Sequence, residues 1–147
     1  VNQDERWMRE AIRLAHHCPP ADGAFSVGAV LVGADGTPLA TGYSRETDPV
    51  VHAEESALAK PVPRDLSGAT LYSTLEPCSE RKSRPRTCTR IILDAGIGRV
   101  VIAWREPTLF VDGEGYELLT AAGIEVVELP DLADLAREPN RHLLDGA

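Results

Sequence analysis

From residue 27 onward, short valine-rich runs alternate with stretches of helical spacing, and this alternation constrains the fold more than any other feature of the chain. VGAVLVG, from Val27 to Gly33, is nearly all apolar and reads as a strand covered on both faces. Ala34-Asp35-Gly36 is a turn signal, and Pro38 to Ser44 reads as the returning strand of a hairpin. His52 to Lys60 then has helical spacing, Ala69 to Thr74 reads as a strand, Cys88 to Ala95 as a helix stopped by Gly96, and Arg99 to Trp104 as a strand. Glu114 to Ala122 is a helix stopped by Gly123, and Ile124 to Leu129 is a strand. An amphipathic helix from Asp4 to about His17, with Asp4 as its cap, precedes the set, and a short helix capped by Asp131 closes it.

The order is therefore αββαβαβαβα. Three strand-to-strand steps each contain a helix, which predicts parallel strands joined by right-handed crossovers. Only the opening hairpin is expected to be antiparallel. The fold class is α/β: three α/β/α layers around a five-stranded mixed sheet, an antiparallel opening hairpin followed by parallel strands. Residues 1–147 are expected to form a single domain.

Composition narrows the function. Acids outnumber bases 23 to 15, for a formal charge of −8, which argues against a nucleic-acid partner. No stretch approaches the ~20 apolar residues that span a bilayer, so no membrane association is expected. The start, VNQDERWMRE, is not a signal peptide, and three cysteines cannot form a complete disulfide framework. A cytoplasmic enzyme acting on a small molecule is the expectation.

Two of those cysteines fall in one constellation: His52-Ala53-Glu54, then Pro77-Cys78, then Cys88. One imidazole and two thiolates are a catalytic zinc ligand set that leaves a fourth position for water. His52 and Cys88 both stand at predicted helix starts, where the backbone dipole favours a thiolate, and Cys78 leaves a strand end. Glu54, two residues from His52, reaches the open position without binding the metal and can move protons between an activated water and a leaving nitrogen. The competing reading is a structural zinc site or unrelated core residues. The missing fourth ligand and the carboxylate argue against it.

The pattern resembles the zinc-dependent cytidine/deoxycytidylate deaminase superfamily, whose H-x-E and P-C signatures assign the glutamate as general acid/base. Nine residues separate Cys78 from Cys88 here, in place of the usual two. Such a long loop is similar to the deaminase domain of the bifunctional riboflavin-biosynthesis deaminase/reductase. That likeness runs from about Trp7 to Leu129 and is carried by VGAVLV, HAEESAL, GATLYSTLEPCS, TRIILDAGIGRVVIA and AAGIEVV. It implies a cytidine-deaminase-like fold and one Zn2+ per chain, held by His52, Cys78 and Cys88, with Glu54 catalytic. It also implies a homodimer or higher homo-oligomer. The length implies a deaminase domain without the reductase.

Around the metal set the chain departs from the family. Ala24-Phe25 replaces an Asn-Pro pair that helps hold the pyrimidine, and Glu106-Pro107-Thr108-Leu109 replaces Asp-Pro-Asn-Pro. The candidate substrate-binding residues are Phe25, Ser26, Ala53, Arg84, Arg86, Trp104, Glu106 and Phe110. Trp104 or Phe110 can stack on a flat base, and Glu106 can accept from a ring N–H; alternatively Trp104 is core at a strand end. Arg84 and Arg86 belong to a run of four cations, Arg81 to Arg86, within the nine-residue loop between the cysteines, which is either an oxyanion clamp or a solvated loop. Glu76 either orients substrate or bonds its own loop. Cys18, beside His16 and His17, reads as a spare, partly buried thiol. The expected reaction is hydrolytic deamination of a small amino-heterocycle, first a riboflavin-pathway-like diaminopyrimidine ribotide or a related base or nucleoside. Alternatives are a cytosine- or guanine-type nucleobase, a specialised secondary-metabolic substrate, or a non-catalytic zinc-stabilised binding module.

Overall fold

The computed structural model describes residues 2–77, 87–105 and 115–144. Its elements are α1 (Gln3–Ala15), β1 (Gly28–Val32), β2 (Pro38–Tyr43), α2 (Ala53–Leu58), β3 (Thr70–Leu75), α3 (Cys88–Ala95), β4 (Arg99–Trp104), α4 (Gly115–Ala121) and β5 (Glu125–Glu128). A 3-10 turn (Pro130–Leu132), α5 (Ala133–Arg137), a second 3-10 turn (Glu138–Asn140) and α6 (Arg141–Leu144) complete the order. No helix among the described residues is long and apolar enough to cross a membrane.

The five strands form one mixed sheet in the order β2-β1-β3-β4-β5. As expected, β1 and β2 pair antiparallel, and β3, β4 and β5 pair in parallel. The expectation of a single antiparallel ladder is corrected, because β1 also pairs antiparallel with β3. The β2–α2–β3 crossover steps over β1, so β1 alone runs against the other four strands. Helices α1 and α5 cover one face, and α2, α3 and α4 follow one another across the other.

Small side chains let α2 approach the sheet. Gly42, Ala29 and Ser73 lie opposite one another in adjacent strands and so share a face. A Cβ on Gly42 would run into the Ala53 carbonyl and would stand 2.6 Å from the Ala57 nitrogen, so α2 packs directly on the β2 backbone. On the opposite face Gly28 meets the Ala11 carbonyl of α1 in the same way.

Helix α1 buries Trp7, Met8, Ala11, Ile12, Leu14 and Ala15, as its spacing predicts. Its cap is Asn2, whose Oδ1 accepts from the Glu5 N–H at 2.8 Å, and not Asp4. Asp4 is drawn instead to β3 and β4, accepting from the Tyr72 hydroxyl at 2.7 Å and from both terminal nitrogens of Arg99 at 2.8 and 2.6 Å. Asp131 likewise lies inside the first 3-10 turn, and α5 has no side-chain cap. The core is continuous through the sheet, with Met8, Leu31, Leu71, Ile92, Ile102 and Leu119 fully buried.

Candidate active site

The site stands where three element ends meet: the start of α2, the start of α3 and the exit of β3. Close backbone approach brings α4 to the same place, because a Cβ on Gly115 would meet the Pro77 carbonyl and would lie 3.2 Å from Thr89 Oγ1. Thr89 in turn donates its hydroxyl to the Pro77 carbonyl at 3.4 Å.

His52 is the cap residue of α2, with extended backbone, and the Glu55 carboxylate accepts from its N–H at 3.3 Å. Cys88 is the first residue of α3 and fully buried; Thr87 caps that helix, accepting from the Arg90 N–H at 3.1 Å. His52 Nδ1 lies 3.3 Å from Cys88 Sγ, although 36 residues separate them. A tetrahedral zinc bound at ordinary nitrogen and sulfur distances would set two such donors about 3.5 Å apart, so this pair fits the ion. The third expected ligand, Cys78, lies outside the described residues. No cluster of three or more metal-ligating groups occurs among the described residues.

Glu54, in the first turn of α2, is 4% exposed. Ser73 of β3, fully buried beneath it, donates to Glu54 Oε2 at 3.1 Å and also lies 2.9 Å from the Leu75 carbonyl. This carboxylate stands two residues from His52 in the first turn of the same helix.

Sequence reasoning missed Ser73. The signal was present, since it is a polar residue within TLYSTL, a strand buried along almost its whole length. Glu76 proves to be an anchor: its Oε2 accepts from the Tyr116 N–H at 2.7 Å, at the start of α4, and its own N–H donates to the Trp104 carbonyl at 3.0 Å.

Of the expected substrate-binding residues, four are described. Ala53, between His52 and Glu54, is fully buried. Phe25 and Trp104 are buried together, their rings edge-to-face at 5.6 Å and 81°. The Arg137 guanidinium stands 5.2 Å over the Trp104 ring. Ser26 is buried, and its hydroxyl accepts from Arg45 Nη2 at 2.6 Å. Arg84, Arg86, Glu106 and Phe110 lie outside the described residues. Cys18 is a free, half-buried thiol that donates to the Val27 carbonyl at 3.5 Å, and burial pushes its pKa up, away from the reactive thiolate.

An α/β/α sandwich with a histidine and a cysteine paired at two helix starts, beside a buried glutamate, defines a deaminase-type domain. The profile of the cytidine and deoxycytidylate deaminase zinc-binding region matches residues 1–104, and the chain belongs to that family. Within it the chain is closely related to the RibD/aminopyrimidine deaminase branch. It is 46% identical over 128 residues to the Schizosaccharomyces pombe protein named diaminohydroxyphosphoribosylamino-pyrimidine deaminase, an alignment covering 84% of this chain and 31% of that one. Among solved structures, Acinetobacter baumannii RibD superposes with a TM-score of 0.80 at 34% identity, over 98% of this chain and 40% of that one. A C-terminal deletion mutant of Aspergillus oryzae Rib2 deaminase superposes with a TM-score of 0.77 at 25% identity, over 98% of each chain. The chain thus spans about a third of the length of the fungal relative that it matches by sequence.

Proposed function

We propose that the protein is a zinc-dependent hydrolytic deaminase of a diaminopyrimidine ribotide or a closely related aminopyrimidine. The observation that carries this reading is the 3.3 Å approach of His52 Nδ1 to Cys88 Sγ, with the buried Glu54 two residues away on the same helix. The substrate class follows the names of the relatives, and the family's own description supports zinc.

His52 and Cys88, with Cys78, would hold the ion. Zinc, when bound, supplies an acidified water at neutral pH. Glu54 takes one proton of the adding water and delivers it to the ring nitrogen, then takes the second from the resulting C–OH and delivers it to the departing amine. Water adds to the ring carbon bearing the amine, the C–N bond breaks, and ammonia and a ring carbonyl result. Ser73 holds the Glu54 carboxylate in the orientation that both transfers need. Phe25, Ser26, Ala53 and Trp104 form the near wall for the heterocycle, with Arg84, Arg86, Glu106 and Phe110 completing the recognition set. Zinc bound at one site per chain and a homo-oligomeric assembly belong to the same reading.

The test is ammonia release by the zinc-loaded protein on a panel of aminopyrimidines, as bases, nucleosides and ribotides, with cytosine and guanine included. The diaminopyrimidine ribotide is expected to give the highest kcat/KM. Glu54→Ala is expected to keep about one zinc per chain while losing at least about a thousandfold in kcat. Turnover of no member of the panel by fully loaded protein would sink the enzymatic reading and leave a zinc-stabilised binding module.

A further inference from the structure

Ser26 stands just before the first ladder pairs of β1, which are Gly28 with Tyr43 and Ala29 with Ser73. It is buried, so its backbone N–H and carbonyl both need partners. A side chain from the far end of the sequence supplies them. Asn140 is fully buried; its Oδ1 accepts from the Ser26 N–H at 2.5 Å, and its Nδ2 donates to the Ser26 carbonyl at 3.0 Å. One amide thereby imitates the neighbouring strand that is missing at this point.

The same C-terminal segment also contacts Trp104 and the stretch that leads to Phe25. Arg137 lies over the Trp104 ring, and His142 Nε2 donates to the Ala21 carbonyl at 2.7 Å. From the other flank Arg45 donates to the carbonyls of Pro19 and Phe25 at 3.0 and 3.2 Å, as well as to the Ser26 hydroxyl. Arg45 holds φ at 61°, in the left-handed region that a non-glycine residue enters only when its surroundings compel it. The Phe25–Ser26 stretch is therefore held from both sides, and Phe25 in turn sets its ring against Trp104.

We propose that Asn140 is a positioning residue of the substrate pocket, fixing the Phe25–Ser26 wall and, through Phe25, the indole of Trp104. That the Phe25–Ser26 stretch and Trp104 line the substrate pocket rests on the deaminase reading above; the contacts of Asn140 with Ser26 do not. Asn140 bonds neither to α2 nor to Ser73 nor to α3, the elements that hold His52, Glu54 and Cys88. Its loss should therefore act on binding and spare the chemical step.

The experiment compares Asn140→Ala and Asn140→Asp with the parent protein by two readouts. In steady-state kinetics on the diaminopyrimidine ribotide, Asn140→Ala is expected to raise KM about tenfold with kcat within about twofold. Asn140→Asp keeps the acceptor for the Ser26 N–H and should fall between. The second readout needs no turnover: the protein's two tryptophans give two indole N–H resonances, Trp104 beside the wall and Trp7 on α1 as internal control. The Trp104 resonance is expected to shift in Asn140→Ala while that of Trp7 stays. An unchanged KM with an unmoved Trp104 resonance overturns the proposal. Equal displacement of both resonances, or failure of both variants to fold, also overturns it, since Asn140 would then serve general stability. If the parent turns over nothing on the panel, the deaminase reading fails separately, and the Trp104 resonance decides whether Asn140 sets the wall.

Discussion

The Ser73 hydroxyl has one proton and two acceptors in reach, Glu54 Oε2 and the Leu75 carbonyl. A hydrogen bond to a charged carboxylate is the stronger of the two, so the proton is expected on Glu54. Ser73→Ala should leave zinc content unchanged and lower kcat about tenfold, because an unrestrained carboxylate samples unproductive orientations. A kcat equal to the parent's would show that Glu54 is oriented by other means. At this scale legibility divided by the kind of signal. That His52 and Cys88 meet could be read, because metal chemistry restricts residue type and spacing. Asn140 could not, since its partner is 114 residues away and nothing local distinguishes it from a surface asparagine.

Among elements, α2 matters most, because it carries His52 at its cap and Glu54 in its first turn. Its height above the sheet is set by Gly42, where any side chain would collide with the helix backbone. Gly42→Ala is expected to destabilise the protein by about 1–3 kcal/mol in urea unfolding and to lower activity by more than that loss of stability explains, by lifting α2 from β2. An unchanged midpoint would show that α2 can move away freely. The helices and strands were legible because their periodicities are local; the second antiparallel ladder was not. Chain order says that β3 follows a crossover, but not that the crossover steps over β1 to place β3 at its free edge. The caps at Asp4 and Asp131 failed for a related reason. Both residues have the right chemistry for a cap, yet Asp4 finds a cation on a distant strand.

Across the whole molecule, that cation ties the first helix to the middle of the sheet. Arg99 holds the Asp4 carboxyl below its ordinary value of 3.8, through hydrogen bonds that outweigh the effect of burial. Burial and the bond to Asp4 push Tyr72 up to about 12. The signs fix the window. The Asp4 contribution is present above its unfolded pKa and lost as pH falls through the lowered folded value; the Tyr72 contribution is present below pH 10 and lost as pH rises through about 12. Asp4→Asn is therefore expected to cost about 1–2 kcal/mol at pH 7, a gap that narrows below about pH 4. A constant gap down to pH 2 would assign the stabilisation to packing.

The pairing of Asn140 with Ser26 also has a consequence in time. It closes a loop spanning 114 residues, and loops of that span are among the last to form. A ribosome-bound chain that has emerged only as far as β5 already possesses His52, Glu54, Cys78 and Cys88, but not the amide that secures the Phe25–Ser26 stretch. On the proposed deaminase reading, nascent chains arrested there should capture zinc before they can retain a heterocycle, so that the two abilities would appear in succession during synthesis.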